Sequence, residues 1–395
     1  MRRALVPLLV LVALLAGITI GGHPSLLPGP LRDFFVGDSD TRVVREAIEK
    51  VHDTYYREIP EKELADDAVK GIVSSLHDRF SNYFTPKEYR RFQDVTSSAY
   101  EGVGMEVVVV PDGLRVVTTY DGSPARRAGI RSGDVIVAVN GSSLAGKNAQ
   151  TGSDKIKGPP GTPVKLSVRT NGKTRVLTID RARVTVPVVA SRLRTDYKGE
   201  KVGIARLATF SAGAHGELRD ALQKLIDKGA KKFVLDLRGN GGGLVSEAQL
   251  VASLFLDGGT VVSTRGRAVT DQTLKAVGKP LIPKGAPVVV LVDRDTASAS
   301  EIVTGALQDR GRATVVGVPT FGKGVFQEIL ELDNGGALDI TAGQYFTPSG
   351  RNLGGKGVHT GSGIRPDVGG VIDNPKTKQD EALDRALSVI AAKTS

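Results

Sequence analysis

A chain can hydrolyse a stable bond without a metal if it holds a nucleophile at an exposed turn and a base to activate it. The segment DRDTASASEIVTGALQDRG, residues 293–311, is the first place to look for the nucleophile. An apolar run ends there at Val292–Asp293, a short turn carries Thr296, Ser298 and Ser300, and a helical pattern follows. Strand–turn–helix geometry of this kind exposes a serine at the C-terminal end of a strand, as a nucleophile elbow does. The N–H groups at the helix start are then available to an oxyanion. The alternative is that Ser298 or Ser300 only caps the helix.

The base is not a histidine. His23, His52, His77, His215 and His359 lie in different segments, and no two have the spacing of metal ligands. Lys323 is the better candidate. A lysine serves as a base only where burial lowers its pKa, and Phe321, Gly322, Gly324, Val325 and Phe326 around it are apolar or tiny. The run after it alternates, so Lys323, Val325 and Gln327 share a side, and Gln327 is placed to orient the amine or the hydroxyl. A plain loop lysine is the competing account.

Two nucleotide-like motifs fail on inspection. GVPTFGKG has Gly317, Gly322 and Lys323 at P-loop spacing, but Gly324 stands where a Mg²⁺-binding hydroxyl is needed, and VFQEILEL reads as a strand. GNGGG at 239–243 lies between strand and helix, yet Leu244 breaks the dinucleotide pattern. With no cysteine, disulfides, thiolate–zinc sites and a thiol nucleophile are excluded. The net charge of +10 comes from scattered lysines and arginines, and aromatics make up 5%, so a nucleic-acid surface is not indicated.

The 395 residues allow two or three domains. Residues 1–22, MRRALVPLLVLVALLAGITIGG, form a signal peptide or membrane anchor with its basic end inside. Residues 23–40 are a Pro- and Gly-containing linker. Apolar residues three and four apart give a helical region over 41–97, where Thr85 and Pro86 are an N-cap and first helical residue. Short β runs fill 98–186, including a hairpin turning at Asn171-Gly172. Strands and helices then alternate over 187–372, which predicts an α/β domain on a largely parallel sheet. A last amphipathic helix lies in 373–395.

Taken in order, YEGVGMEV, GSPARRAGIRSGDVIVAVNG, KGPPGTPVKLSVR, FVLDLRGNGGG, TASASEI, GRATVVGVPTFGKGVFQ and GQYFTPSGRNLGGKGV resemble the C-terminal processing peptidases. These are tail-specific proteases of bacterial envelopes and the chloroplast lumen. The likeness runs over about residues 40–370. It implies a multidomain α/β plus β fold: a helical N-terminal region, a PDZ-like β-rich domain, and an α/β serine protease core of the ClpP/crotonase-like kind. It also implies that Ser298 is the nucleophile, Lys323 the general base, Gln327 a supporting residue, and Asp309 a structural or supporting acid. Ala299 would form the oxyanion hole with Gly241 or Gly242. YEGVGM, covering Tyr100, Gly102, Val103, Gly104 and Met105, matches a carboxylate-binding loop, and Gly-rich N–H groups beside a sheet edge suit a C-terminal tail.

The partners so implied are protein substrates held by their tails, the membrane through the N-terminal segment, and a second copy or an activating adaptor. No metal or cofactor is called for, and the location is extracytoplasmic. Three departures are visible: extra residues in VHTGSGIRPD, Thr296 for a commoner serine, and Ala205 for a frequent aromatic. They bear on groove shape. The rival functions are an inactive PDZ scaffold, a small-molecule esterase or amidase, and a nucleotide enzyme.

Overall fold

A computed structural model describes residues 39–355, 363–370, 377 and 379–393. The expected signal or anchor segment, its linker to residue 38, and residues 356–362, which include the first half of VHTGSGIRPD, lie outside these. Among the described residues no helix is long and apolar enough to cross a membrane.

The chain divides into two compact units at Asp78/Arg79. The first contains α1 (Ser39–Thr54) and α2 (Glu61–Ser74), which pack on each other. The helical region expected over 41–97 is therefore split, because residues from Arg79 onward pack with the rest of the chain. In the second unit β1 (Asn82–Phe84) leads into α3 (Pro86–Thr96). Thr85 caps that helix and Glu88 reaches back to the Thr85 N–H at 2.9 Å, with Pro86 at the first helical position as expected.

A β-rich module follows. Its strands are β2 (Ala99–Gly102), β3 (Met105–Val110), β4 (Gly113–Thr119), β5 (Val135–Val139), β6 (Ser142–Ser143), β7 (Pro163–Thr170), β8 (Lys173–Asp180) and β9 (Ala182–Thr185). Helices α4 (Pro124–Arg127) and α5 (Ala149–Ile156) complete it. The sheet order is β3-β4-β5-β7-β8, which leaves β3 at an edge, and β2 pairs with β9 at the module's root. Asn171 and Gly172 both have positive φ, 48° and 80°, the two-residue turn that matches strand twist. Val103, Leu114, Ile130, Ile136, Val164 and Leu166 form its own buried core.

The remaining chain builds the α/β core. Its main sheet has the order β10 (Val189–Thr195), β11 (Lys201–Leu207), β12 (Lys232–Asp236), β15 (Val288–Val292), β16 (Thr314–Gly317) and β19 (Val368–Gly369), parallel from β11 onward. The central strands are buried on both faces. Phe233, Leu235, Val288, Val290 and Val292 face the layer of α6 (Ala214–Asp227), α7 (Val245–Ser253) and α8 (Ala299–Asp309). Val234, Val289 and Leu291 face α9 (Glu381–Ala391) on the other side. Two-sided burial explains why these strands read as unbroken apolar runs. A second sheet joins β13 (Thr260–Gly266), β14 (Gln272–Lys275), β17 (Val325–Glu331) and β18 (Ala337–Phe346), and β1 pairs with β18.

Candidate active site

Three neighbouring parallel strands, β12, β15 and β16, end on the same rim of the main sheet, where open α/β sheets place their sites. Their following segments are the glycine loop 237–244, the turn 293–298 and the loop 318–324. Hydrogen bonds stitch the three together. Asp293 accepts the Gly239 N–H at 3.0 Å, the Thr296 hydroxyl donates to the Leu237 carbonyl at 2.9 Å, and Phe321 N–H donates to the Thr296 carbonyl at 3.0 Å. Thr296 thus serves as a tie and not as a nucleophile. Ser300 is fully buried and donates to the Asn240 carbonyl, which likewise removes it as a candidate.

Ser298 remains. It sits at the entrance of α8 with φ 56° and ψ −118°, a region a non-glycine residue occupies at a cost of about 1–3 kcal/mol. Its side chain is half-buried. Glu301, three residues on, takes the Ser298 N–H at 2.9 Å and is itself fully buried. The same carboxylate accepts the Lys323 N–H at 2.9 Å, the Gly322 N–H at 2.7 Å and the Thr320 hydroxyl at 2.5 Å. One side chain therefore holds both the elbow and the lysine loop. Burial pushes the Glu301 pKa above its ordinary range, and the four donors work against that push.

The Lys323 amine donates to Gln327 Oε1 at 2.7 Å and stands 5.1 Å from the centre of the Phe80 ring. Gln327 is held in turn by the Thr341 hydroxyl at 3.2 Å, and the Thr341 N–H donates to Ser81 at 3.0 Å. Thus the two residues leading into β1, which is pinned to β18, supply a wall of the lysine's surroundings. Gly324 is packed so tightly that a Cβ would lie 2.3 Å from the Gly354 nitrogen. The Tyr345 hydroxyl is fully buried beside Ser298 and Glu301 without a hydrogen bond of good geometry among the described residues. Burial first, then the nearby Glu301 charge, raise its pKa well above that of a free phenol, and the Ser298 hydroxyl offsets part of the rise.

Among the described residues the N–H groups of Ala299 and Gly241 have no protein acceptor. Gly242 is different. Its N–H is donated to Asn240 Oδ1 at 2.9 Å, so of the two glycines offered by the sequence only Gly241 keeps a free donor. Gly242 acts through its missing side chain: φ is +102°, and a Cβ would meet Ser298 Cβ at 2.8 Å and the Ala299 nitrogen at 2.9 Å. Beside Gln327 opens a cavity of 630 Å³, with Val245, Val269, Leu274, Phe326 and Glu328 in its walls.

The model of peptidase family S41 matches residues 201–369, and a PDZ domain model matches residues 115–170. The carboxy-terminal processing protease CtpA of Bacillus subtilis is 34% identical over 341 residues, covering 86% of this chain and 72% of that protein. The carboxyl-terminal-processing protease of Picosynechococcus is 39% identical over 295 residues, 74% of this chain and 71% of its own. The chain belongs to peptidase family S41. A solved photosystem II D1 C-terminal processing protease, 29% identical, superposes with a TM-score of 0.51 over 89% of this chain and 97% of its own. This S41 peptidase is accordingly a serine protease with a PDZ domain, and its fold is the helical, PDZ and protease-core arrangement expected from the sequence.

Of the residues singled out in the S41 sequence, Gly242 packs against Ser298 and Ala299, while Lys323 is joined to Ser298 through the Glu301 carboxylate and to Gln327 through its amine. Asp309 does not touch them. It ends α8 and accepts the N–H and hydroxyl of Ser349, at 2.9 and 2.6 Å, together with Arg351. Burial raises its pKa, but the Ser349 and Thr347 hydroxyls, the Ser349 N–H and Arg351 outweigh that and leave it lowered. Tyr100 and Gly102 lie in β2, Val103 and Gly104 connect it to the edge strand β3, and Met105 opens that strand. Four residues at the rim carried no earlier assignment: Glu301, Thr320, Phe80 and Tyr345. Glu301 had a local signal, since S-x-x-E before an apolar run is a capping box; Thr320 lies in the lysine's own loop, and Phe80 and Tyr345 reach the site through long-range pairing.

Proposed function

We propose that this peptidase cleaves peptide bonds with a Ser298–Lys323 dyad and recruits extracytoplasmic protein substrates by their C-terminal tails. The observation that carries the dyad is the Glu301 carboxylate, which binds the backbone N–H of both residues. Neutral Lys323 takes the Ser298 proton as Oγ attacks the carbonyl carbon. The oxyanion is received by the N–H groups of Ala299 and Gly241, each such donor worth about 2.7–4 kcal/mol in comparable sites. Lys323, now an ammonium, gives its proton to the departing amine. Water then attacks the acyl-enzyme with Lys323 again as base. Gln327 Oε1 keeps the amine turned toward the rim, and the 630 Å³ cavity suits a substrate side chain next to the cleaved bond.

The PDZ loop 100–105 and edge strand β3 supply the tail site, by strand addition with the carboxylate in the N–H turn. The apolar segment 1–22 supports placement at the outer face of a bacterial membrane or in the space beyond it. The test is digestion of an unstructured protein with an apolar C-terminal tail by the wild type, Ser298→Ala and Lys323→Ala, read by mass spectrometry. Cleavage by the wild type alone, reduced when the tail is made charged, is expected. Full cleavage by Lys323→Ala would remove the dyad.

A further inference from the structure

The edge strand β3 and helix α5 enclose a groove of 270 Å³ lined by Tyr100, Val103, Met105, Tyr120, Ile156 and Lys157. A tail added to β3 would bring its carboxylate to the outward N–H groups at the start of that strand. The Met105 N–H is already occupied. It donates to the Tyr100 hydroxyl at 3.1 Å, and the Gly104 N–H lies close to the same oxygen. The arrangement is closely fitted. A Cβ on Gly102 would lie 2.9 Å from the Tyr100 ring, and one on Gly104, whose φ is +82°, would lie 2.3 Å from Ser123 Cβ. The Lys157 ammonium sits 5.2 Å from the ring centre, on the groove side. Burial pushes the phenol up to about 12, so it stays neutral and fills the turn without bringing a charge there.

We infer that Tyr100 is a built-in latch on the tail site: its hydroxyl stands in for the substrate carboxylate and must swing out before a C-terminus can bind. The inference rests on the tail-capture function proposed above. Every ligand meets the same displacement cost. A carboxylate recovers it, because a charge-assisted hydrogen bond to the Met105 N–H is about twice as strong as the neutral one it replaces, and the Lys157 ammonium, which pairs with Asp94 at 3.9 Å, lies in the same groove as Glu106. A C-terminal amide or an internal loop recovers little. Affinity for any tail is therefore reduced by the fraction of molecules in which the latch is open.

The experiment uses the full chain carrying Ser298→Ala, with and without Tyr100→Phe, and one fluorescent apolar peptide as free acid and as C-terminal amide. Tyr100→Phe deletes one oxygen and keeps the ring. The expected result is preference for the acid in both proteins, with acid and amide each bound about 3- to 10-fold tighter by Tyr100→Phe. If acid and amide bind equally in both proteins, tail capture fails and the latch with it. If the acid is preferred but Tyr100→Phe binds it no tighter, the latch alone is overturned, and selective weakening of the acid would make Tyr100 a direct ligand. Matching melting temperatures verify the fold. As a second measurement, 3-fluorotyrosine at position 100 should show a shifted ¹⁹F resonance on saturation with the acid peptide. An unmoved resonance would overturn the latch irrespective of the affinities.

Discussion

Replacing Glu301 with Gln changes two atoms' worth of chemistry at the point where the elbow and the lysine loop meet. Oε1 receives Thr320 and Gly322, and Oε2 receives Ser298 and Lys323. A glutamine can serve one of these pairs through its oxygen and must turn an NH2 toward the other. Two buried donors are then unsatisfied, at about 1–3 kcal/mol each, for a total of about 2–6 kcal/mol. At about 2–4 °C per kcal/mol for a domain of this size, melting should fall by roughly 5–20 °C. The activity loss has a separate origin: a displacement of about 1 Å at either Ser298 or Lys323 costs about 10²-fold. Below the melting range, kcat/KM on a tail-bearing peptide should therefore drop about 10²-fold or more. The pH dependence has a definite sign as well. Burial raises the Glu301 pKa above 4.5, so the native state holds this proton more tightly than the unfolded chain. Its contribution to stability is full below 4.5 and declines as pH rises through the folded value, and Glu301→Gln should abolish that decline. A variant with kcat/KM within about threefold of wild type and an unchanged melting temperature would refute the assignment of Glu301 as the tie between the two loops.

Lys323→Arg should be inactive in the same peptide assay at every pH, because a guanidinium does not give up its proton. Gln327→Leu removes the acceptor of the Lys323 amine, and kcat should fall about 10-fold or more while KM moves little, as steady-state kinetics would show. Gly242→Ala should lose at least about 10²-fold in kcat, since its Cβ cannot fit against Ser298 and Ala299. Asp309→Asn should lower the melting temperature at neutral pH and reduce the difference at acid pH. The Asp309 pKa is depressed below 3.8, so its contribution is present above that value and lost as pH falls through the folded one.

What could be read in the sequence was what local patterns encode. The strand–turn–helix around Ser298, the apolar flanks of Lys323 and the alternation that puts Gln327 on the lysine's side are all short-range signals, and each element lies where its pattern predicts. The Thr85–Glu88 cap and the Asn171-Gly172 turn are of the same kind. Long-range pairing left no such trace. Asn82–Phe84 is a strand because it pairs with Ala337–Asp339, some 250 residues away, and nothing in NYF alone announces it. The same docking carries Phe80 to Lys323 and Ser81 to Thr341. Composition likewise could not divide Gly241 from Gly242, because the distinction lies in which N–H the Asn240 side chain takes.

The glycine loop is fixed from several directions at once, and this bears on how tail binding would reach the rim. Asn240 anchors it to the Leu207 carbonyl at the end of β11, and Phe210 exchanges backbone hydrogen bonds with Gly242 and Leu244 at 2.9 and 2.7 Å. Arg238, at the start of the loop, forks between Asp236 and the helix cap Asp380. The residues next to Phe210 are also where the chain entering the PDZ domain is held. The Ala212 N–H donates to the Thr96 carbonyl at 2.9 Å, and the buried Ser98 and Ser211 hydroxyls touch. Ser211 and Ala212, which hold the chain entering the PDZ domain, therefore follow directly on Phe210, which supports Gly242. This short contact chain joins the PDZ domain to the glycine loop. Ser98 and Ser211 are the place to cut it, because both lie outside the dyad and outside the tail groove.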